Sequence, residues 1–211
     1  MPSNNYGRNT PRAAKDELVR LGSASIDPLL SLLNGLLDDP ESPHFASGRE
    51  AEGARAWGTS GEYIDHPEEL EITWRLINDF CDIVGRLKAI EAVPSLLRII
   101  EARPITGLEH ITGETLALER IGKPALPIVL DRLLSAAREE SLMMQAPDTS
   151  PLGQARLSEL VKFERRLGIV LSLIGDQSIV PALEGIADFH QAPRASAYAR
   201  NVIEKVKLVK D

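Results

Sequence analysis

Apolar residues recur at helical spacing along most of the chain, and prolines stand near the beginning of several of these runs. In GKPALPIVLDRLL, residues 122–134, two prolines fall at positions that a helix interior does not tolerate. Proline lacks an amide hydrogen, and in a helix interior its ring collides with the preceding turn. Both residues are acceptable in a first turn, where the amide groups have no partner within the helix. The stretch therefore predicts the beginning of a helix.

The same proline-started pattern recurs along the chain, around Pro28, Pro94, Pro127 and Pro181. A preceding helical run ends in a glycine at Gly22, Gly122 and Gly175, which favours a helix end because glycine readily adopts the left-handed conformation. The second copy differs, because Lys88 stands where the first and fourth have glycine. The predicted unit is a helix, a glycine turn and a proline-started helix.

Three stretches carry this unit most clearly: AAKDELVRLGSASIDPLLSLL, ALERIGKPALPIVLDRLL and LGIVLSLIGDQSIVPALEGIA. They resemble HEAT repeats, and most closely the subclass first described in phycobilisome lyase subunits. The resemblance covers roughly residues 13–187, with interruptions. It implies an all-α protein folded as a right-handed α-α superhelix of antiparallel helix pairs. The second helices of such an array line a concave surface that most members use to bind other macromolecules.

Spacing between the units predicts one array with two insertions. Pro94 and Pro127 are 33 residues apart, a period typical of helical repeats, whereas the other intervals are longer. We expect a polar tail at 1–10, then a single array over 11–208 with insertions at 38–66 and 138–154. The expected pairs are 11–37, 67–102, 107–137 and 155–189, followed by a last helix at 193–208 that caps the array.

Composition limits the classes of function. Hydrophobic residues make up 43% of the chain but aromatic residues only 4%, which suits aliphatic packing between helices. The net charge of −7 argues against nucleic acid, which binds a concentrated basic surface. The three lysines at 205, 207 and 210 are interpreted as complementing the negative end of the last helix, with DNA binding as the alternative.

Location is indicated by what the sequence contains and omits. Cys81 is a single cysteine in an apolar helical run, so we expect a core residue and no disulfide framework. The first residues lack the apolar region of a secretion signal, and no segment has the roughly 20 apolar residues of a membrane span. The expectation is a cytoplasmic protein without a membrane partner.

A search for catalytic motifs finds no glycine-rich phosphate loop, GxSxG, HExxH or paired CxxC. We therefore assign no catalytic residue, no metal and no cofactor. His110 and Glu114 lie one helical turn apart and could supply two metal ligands, although two ligands do not make a site. A surface pair is the simpler interpretation.

Aligning the second helices on their prolines separates a core row from an outer row. Two residues after the prolines stand Leu30, Leu96, Val129 and Leu183, which are expected in the core. Four residues after them stand Leu32, Arg98, Asp131 and Gly185. In the middle repeats this row leaves the core, so Arg98 and Asp131 are expected to be neighbours.

Two interpretations of that charged pair are possible. It is either an ion pair between repeats, worth at most about 1 kcal/mol, or part of a charged concave strip. The strip would include Glu101 and Arg132 and would select a partner by electrostatic complementarity.

Aromatic residues in the first insertion form the other candidate binding site. Phe45, Trp57 and Tyr63 stand in a polar, glycine-punctuated segment, and tryptophan and tyrosine dominate interface hot spots. Alternatively, they fold back over the groove or over the edge of the first pair. The favoured function is a non-catalytic scaffold that binds another protein through its concave face and first insertion. The alternative, a subunit of a bilin lyase-like complex, rests on the resemblance alone.

Overall fold

The computed structural model describes residues 10–38, 67–102 and 111–208, and in these ranges the chain is helical apart from short connections. The described α-helices are α1 (Thr10–Leu21), α2 (Ile26–Asp38), α3 (Pro67–Leu87), α4 (Val93–Ala102), α5 (Gly113–Ile121), α6 (Leu126–Gln145), α7 (Pro151–Ile174), α8 (Val180–Ala187) and α9 (Pro193–Leu208). No β-strand occurs in these ranges. The expected all-α class is confirmed.

In each of the four helix pairs, a similar joint connects the first helix to the second. A short 3₁₀ turn precedes each second helix, at Gly22–Ser25, Ile90–Ala92, Lys123–Ala125 and Gln177–Ile179. Each second helix has its proline within its first three residues, where the missing amide hydrogen costs little. Every joint also contains a residue with positive φ, at Gly22, Gly122, Gly175 and, in the second joint, Lys88 with φ of 53°. The lysine therefore keeps the positive φ that glycine has in the other joints.

The third and fourth joints are linked by an ion pair. Lys123 Nζ lies 2.5 Å from Asp176 Oδ2, and the Ser178 amide donates to Asp176 Oδ1 at 2.8 Å. The contact with Lys123, followed by the bonds from Ser178, lowers the pKa of Asp176 well below its usual range. The aspartate thus orders the turn that precedes α8.

Helices of the same kind pack side by side. The first helices α1, α3, α5, α7 and α9 pack in that order, and so do the second helices α2, α4, α6 and α8. Aliphatic side chains fill the space between the two layers, including the fully buried Leu96, Leu118, Leu133, Leu167 and Leu183. Cys81, the single cysteine of the chain, is also fully buried, as expected of a core residue.

Helices α3 and α5 approach each other closely at Gly85. A Cβ atom added to Gly85 would lie 2.9 Å from the Cα of Ala117, a separation that real Cβ atoms do not show. The two backbones therefore approach closely because both residues are small. On the exposed side, Lys15 of α1 pairs with Asp79 of α3 at 2.8 Å, and Arg120 of α5 pairs with Asp82 of α3 at 2.7 Å.

Helices α6 and α7 form a long hairpin. They contain 20 and 24 residues, whereas the neighbouring α5 and α8 contain 9 and 8. The segment 138–154, expected as an insertion between pairs, is mostly helical, since only residues 146–150 connect the two helices. Ser150 caps α7 by accepting a hydrogen bond from the Gly153 amide at 3.1 Å. The additional residues therefore lengthen the hairpin.

Several expected features fall outside the described residues. These are the tail at 1–9, most of the first insertion at 39–66 and the segment 103–110. The third pair was expected to begin at 107, and its described helix begins at Gly113. Within the described helices, none combines the length and apolar character that crossing a membrane requires.

Candidate interaction surface

One outer face runs along the layer of second helices. The residues four positions after the prolines, Leu32, Arg98, Asp131 and Gly185, are all exposed. The expected core row is buried at Leu96, Val129 and Leu183 but only partly buried at Leu30. Positions 0, +4 and +7 lie on one side of a helix, and these helices pack side by side. The exposed rows therefore form one surface, the second-helix face. We define it by the exposed Leu32, Arg98, Glu101 and Asp131 together with the adjoining, partly buried Arg132.

Arg98 is held at the junction between α2 and α4. Its Nη2 atom lies 2.5 Å from Asp38 Oδ1 and donates to the Leu37 carbonyl at 3.4 Å. The expected pairing of Arg98 with Asp131 is replaced by this contact. Asp38 is the last residue of α2, and its carboxylate reaches α4, so the register between the helices selects it as the partner.

Arg132 is held at the junction between α4 and α6. Its Nη2 atom donates to both carboxylate oxygens of Glu101 at 2.9 Å. The guanidinium also lies 4.9 Å from the centre of the Phe163 ring of α7, a favourable cation–π distance. Glu101 and Arg132, which the sequence placed on the same strip, are therefore neighbours.

The two remaining members of the face are more accessible. Leu32 is an apolar side chain with 65% of its surface exposed. Asp131 is exposed and forms no ion pair or hydrogen bond with another described residue. The face thus combines two ion-paired arginines with an exposed apolar side chain and a carboxylate that has no partner among the described residues.

Other sequence candidates are placed differently. Phe45, Trp57, Tyr63 and His110 lie outside the described residues. Glu114 is fully buried at the beginning of α5, so its expected role in a surface pair is wrong. Among the described residues, no group of three or more histidine, cysteine, aspartate or glutamate side chains could hold a metal ion.

Two buried carboxyl groups near α9 were not identified from the sequence. Glu140 of α6 is fully buried and accepts hydrogen bonds from the amides of Arg194 and Ala195, at 3.3 and 3.1 Å, in the first turn of α9. Glu164 of α7 is also fully buried and has no hydrogen-bond partner among the described residues. Burial, and after it the charge of Glu140, raise the pKa of Glu164 to about 8, although Arg194 opposes the change.

The sequence did contain a signal for these carboxyl groups. Glu164 stands four residues after Leu160 and three before Leu167, and Glu140 stands four after Ala136, so both fall on apolar sides of their helices. A glutamate within an apolar row can nevertheless turn its end towards solvent. Here the packing of α9 across α6 and α7 covers both positions.

Comparison with known proteins adds no identification. No protein-family model, curated protein or solved structure matches this chain.

Proposed function

We propose that the chain is a HEAT-like array, wound as a right-handed α-α superhelix, that binds another protein without catalysing a reaction. In this proposal the second-helix face is the concave surface and the first insertion supplies additional contacts. The observation that carries the proposal is the continuous exposed row along α2, α4, α6 and α8. The repeated joints and the resemblance to HEAT repeats support the array.

The face has properties that suit binding. Arg98 and Arg132 each pair with an acidic residue of the preceding second helix, so they present their side chains at the junctions between helices. Leu32 and Asp131 supply an accessible apolar group and an accessible charge. A partner that presents a basic residue beside an apolar one would complement them.

The test is affinity capture followed by mass spectrometry with four versions of the protein. They are the unchanged chain, Asp131→Lys, Glu204→Lys, and a chain whose residues 41–63 are replaced by a short Gly/Ser linker. Glu204 is exposed on α9 and receives the same charge change away from the face, so it is the matched control. Circular dichroism verifies that each version keeps its helical content.

The proposal expects a specific partner whose recovery falls about tenfold with Asp131→Lys and is unchanged with Glu204→Lys. Loss with the replaced segment would place further contacts around Trp57. Equal recovery with all versions would contradict the proposal, because neither of the proposed binding regions would then contribute.

A further inference from the structure

A groove lies between α7 and the beginning of α9, in the layer of first helices. It is open to solvent on one side, and its volume is about 390 Å³. It is lined by Gln154, Leu157, Ser158, Val161 and Lys162 of α7 and by Arg194 of α9. The groove is therefore separate from the second-helix face and is not part of the proposed protein-binding surface.

The α7 side of the groove has two parallel rows. Leu157 and Val161 are four residues apart and form an apolar row, while Gln154, Ser158 and Lys162 repeat at the same spacing and form a polar row. Residues 157–162 extend about 8 Å along the helix axis. The polar row ends at Lys162, and Arg194 also lines the groove. An apolar strip thus accompanies two cationic side chains.

The charge of Arg194 is not neutralised by a direct partner. Its guanidinium is exposed and forms no hydrogen bond or ion pair with another described residue. Glu140 accepts hydrogen bonds from backbone amides of α9, including that of Arg194 itself. Glu164 also acts electrostatically on Arg194, but its pKa of about 8 means that this carboxyl is mostly protonated at pH 7.

Lys162 forms only a weak ion pair within its own helix. It lies 2.5 Å from Glu159, but both side chains are more than one-third exposed, and such surface pairs contribute little in water. An anion in the groove can therefore compete for the ammonium group. We infer that this groove binds a small carboxylate that carries an apolar tail. Its carboxylate contacts Arg194 and Lys162, and its tail lies on Leu157 and Val161.

The first test is an NMR titration of the full chain with hexanoate at pH 7, following amides of residues 154–162 and 194. We expect a Kd of about 1–10 mM, appropriate for a ligand with few heavy atoms. Acetate has the charge without the tail, and hexanol has the tail without the charge. Each should bind at least about fivefold more weakly. Hexanol or acetate binding as tightly as hexanoate would overturn the inference, as would no binding of hexanoate.

The second test changes the cation. Arg194→Gln should weaken hexanoate binding about tenfold, because it removes the positive charge. It keeps the backbone amide at position 194 that donates a hydrogen bond to Glu140. Arg138→Gln, at an exposed position on α6, is the matched control and should bind as the unchanged chain does. Equal binding by Arg194→Gln would overturn the assignment.

The third test uses pH. The titration of Glu164 is expected to depend on the charged or titratable groups around it. Among the described residues these are Glu139 and Glu140 of α6, Arg194 and Tyr198 of α9, and Arg165 of α7 itself. Burial raises the pKa of Tyr198 above its ordinary value, so the phenol stays neutral up to pH 9.

Ionisation of Glu164 between pH 7 and 9 should therefore weaken hexanoate binding in the unchanged chain, because the new carboxylate opposes the anion. Glu164→Gln should bind equally at both pH values. The same fall with pH in Glu164→Gln would contradict the placement of the ligand's carboxylate at Arg194, the cation on which Glu164 acts.

Discussion

At the scale of single residues, Lys88 tests whether the joints depend on backbone geometry. It has a φ of 53°, whereas glycine occupies the corresponding place in the other three joints. Lys88→Gly should raise the free energy of unfolding by about 0.5–1 kcal/mol. Glycine removes the strain of a left-handed backbone conformation, and this gain exceeds the cost of its greater conformational freedom in the unfolded chain. Denaturant unfolding measures the change. Lys88→Ala keeps a Cβ atom and should give no such gain; an equal gain would assign the effect to the lysine side chain.

Glu164 predicts a pH-dependent stability. Its pKa is raised from 4.5 to about 8 in the folded chain, so folding takes up a proton between these values. The contribution of this group to stability is complete below about pH 4.5 and is lost as pH rises towards 8, by up to about 1.4 kcal/mol per pH unit. Glu164→Met should raise the melting temperature at pH 8 and have a smaller effect at pH 5. A gain that is equal at both pH values would exclude titration of Glu164 as the cause.

The residues that could be predicted are those whose role is local. Pro94 and Gly175 indicate a helix start and a helix end from their own backbone chemistry. The partner of Arg98 could not be predicted, because it depends on the register between α2 and α4 and on the reach of Asp38. The burial of Glu164 likewise depends on α9, which stands some 30 residues later in the chain.

At the scale of elements, the contact between α3 and α5 requires a small residue. Gly85→Ala would place a Cβ atom 2.9 Å from the Cα of Ala117, and backbone cannot move aside cheaply. We expect a loss of about 1–3 kcal/mol in the free energy of unfolding, as for other overpacked cores. Gly35→Ala is the matched control, because nothing lies within 4 Å of its added Cβ. It should stabilise α2 by about 0.5–1 kcal/mol. Equal effects at both positions would contradict the close approach.

Helix ends were predictable where a proline or glycine marks them. The observed beginning of α9 at Pro193 and the observed end of α5 at Ile121, before Gly122, agree with the expectation. The sequence pattern predicts an end of α6 at 137, which is too early, because it treats residues 138–154 as an insertion between pairs. No residue between Ala137 and Gln145 interrupts a helix, so α6 continues to Gln145, just before Pro147. Helix α7 then begins at Pro151.

At the scale of the whole molecule, stability should differ along the array. None of residues 12–21 in α1 is fully buried, whereas α7 has buried residues along most of its length and packs against α4, α5, α6 and α9. In arrays whose units contact mainly their neighbours, the end with the least buried surface opens first. Hydrogen exchange with mass spectrometry should show α1 exchanging fastest among the described helices and α7 slowest. Protection of α1 equal to that of α7 would show that the array opens as one cooperative unit.

The order of packing within the two layers also bears on how the chain reaches its fold. Among the described helices, all extensive contacts join helices at most three places apart along the chain. Proteins dominated by such near contacts fold quickly, because little loop-closure entropy is lost before contacts form. A growing chain could therefore dock each pair as it leaves the ribosome, on a surface that the preceding pair has already formed.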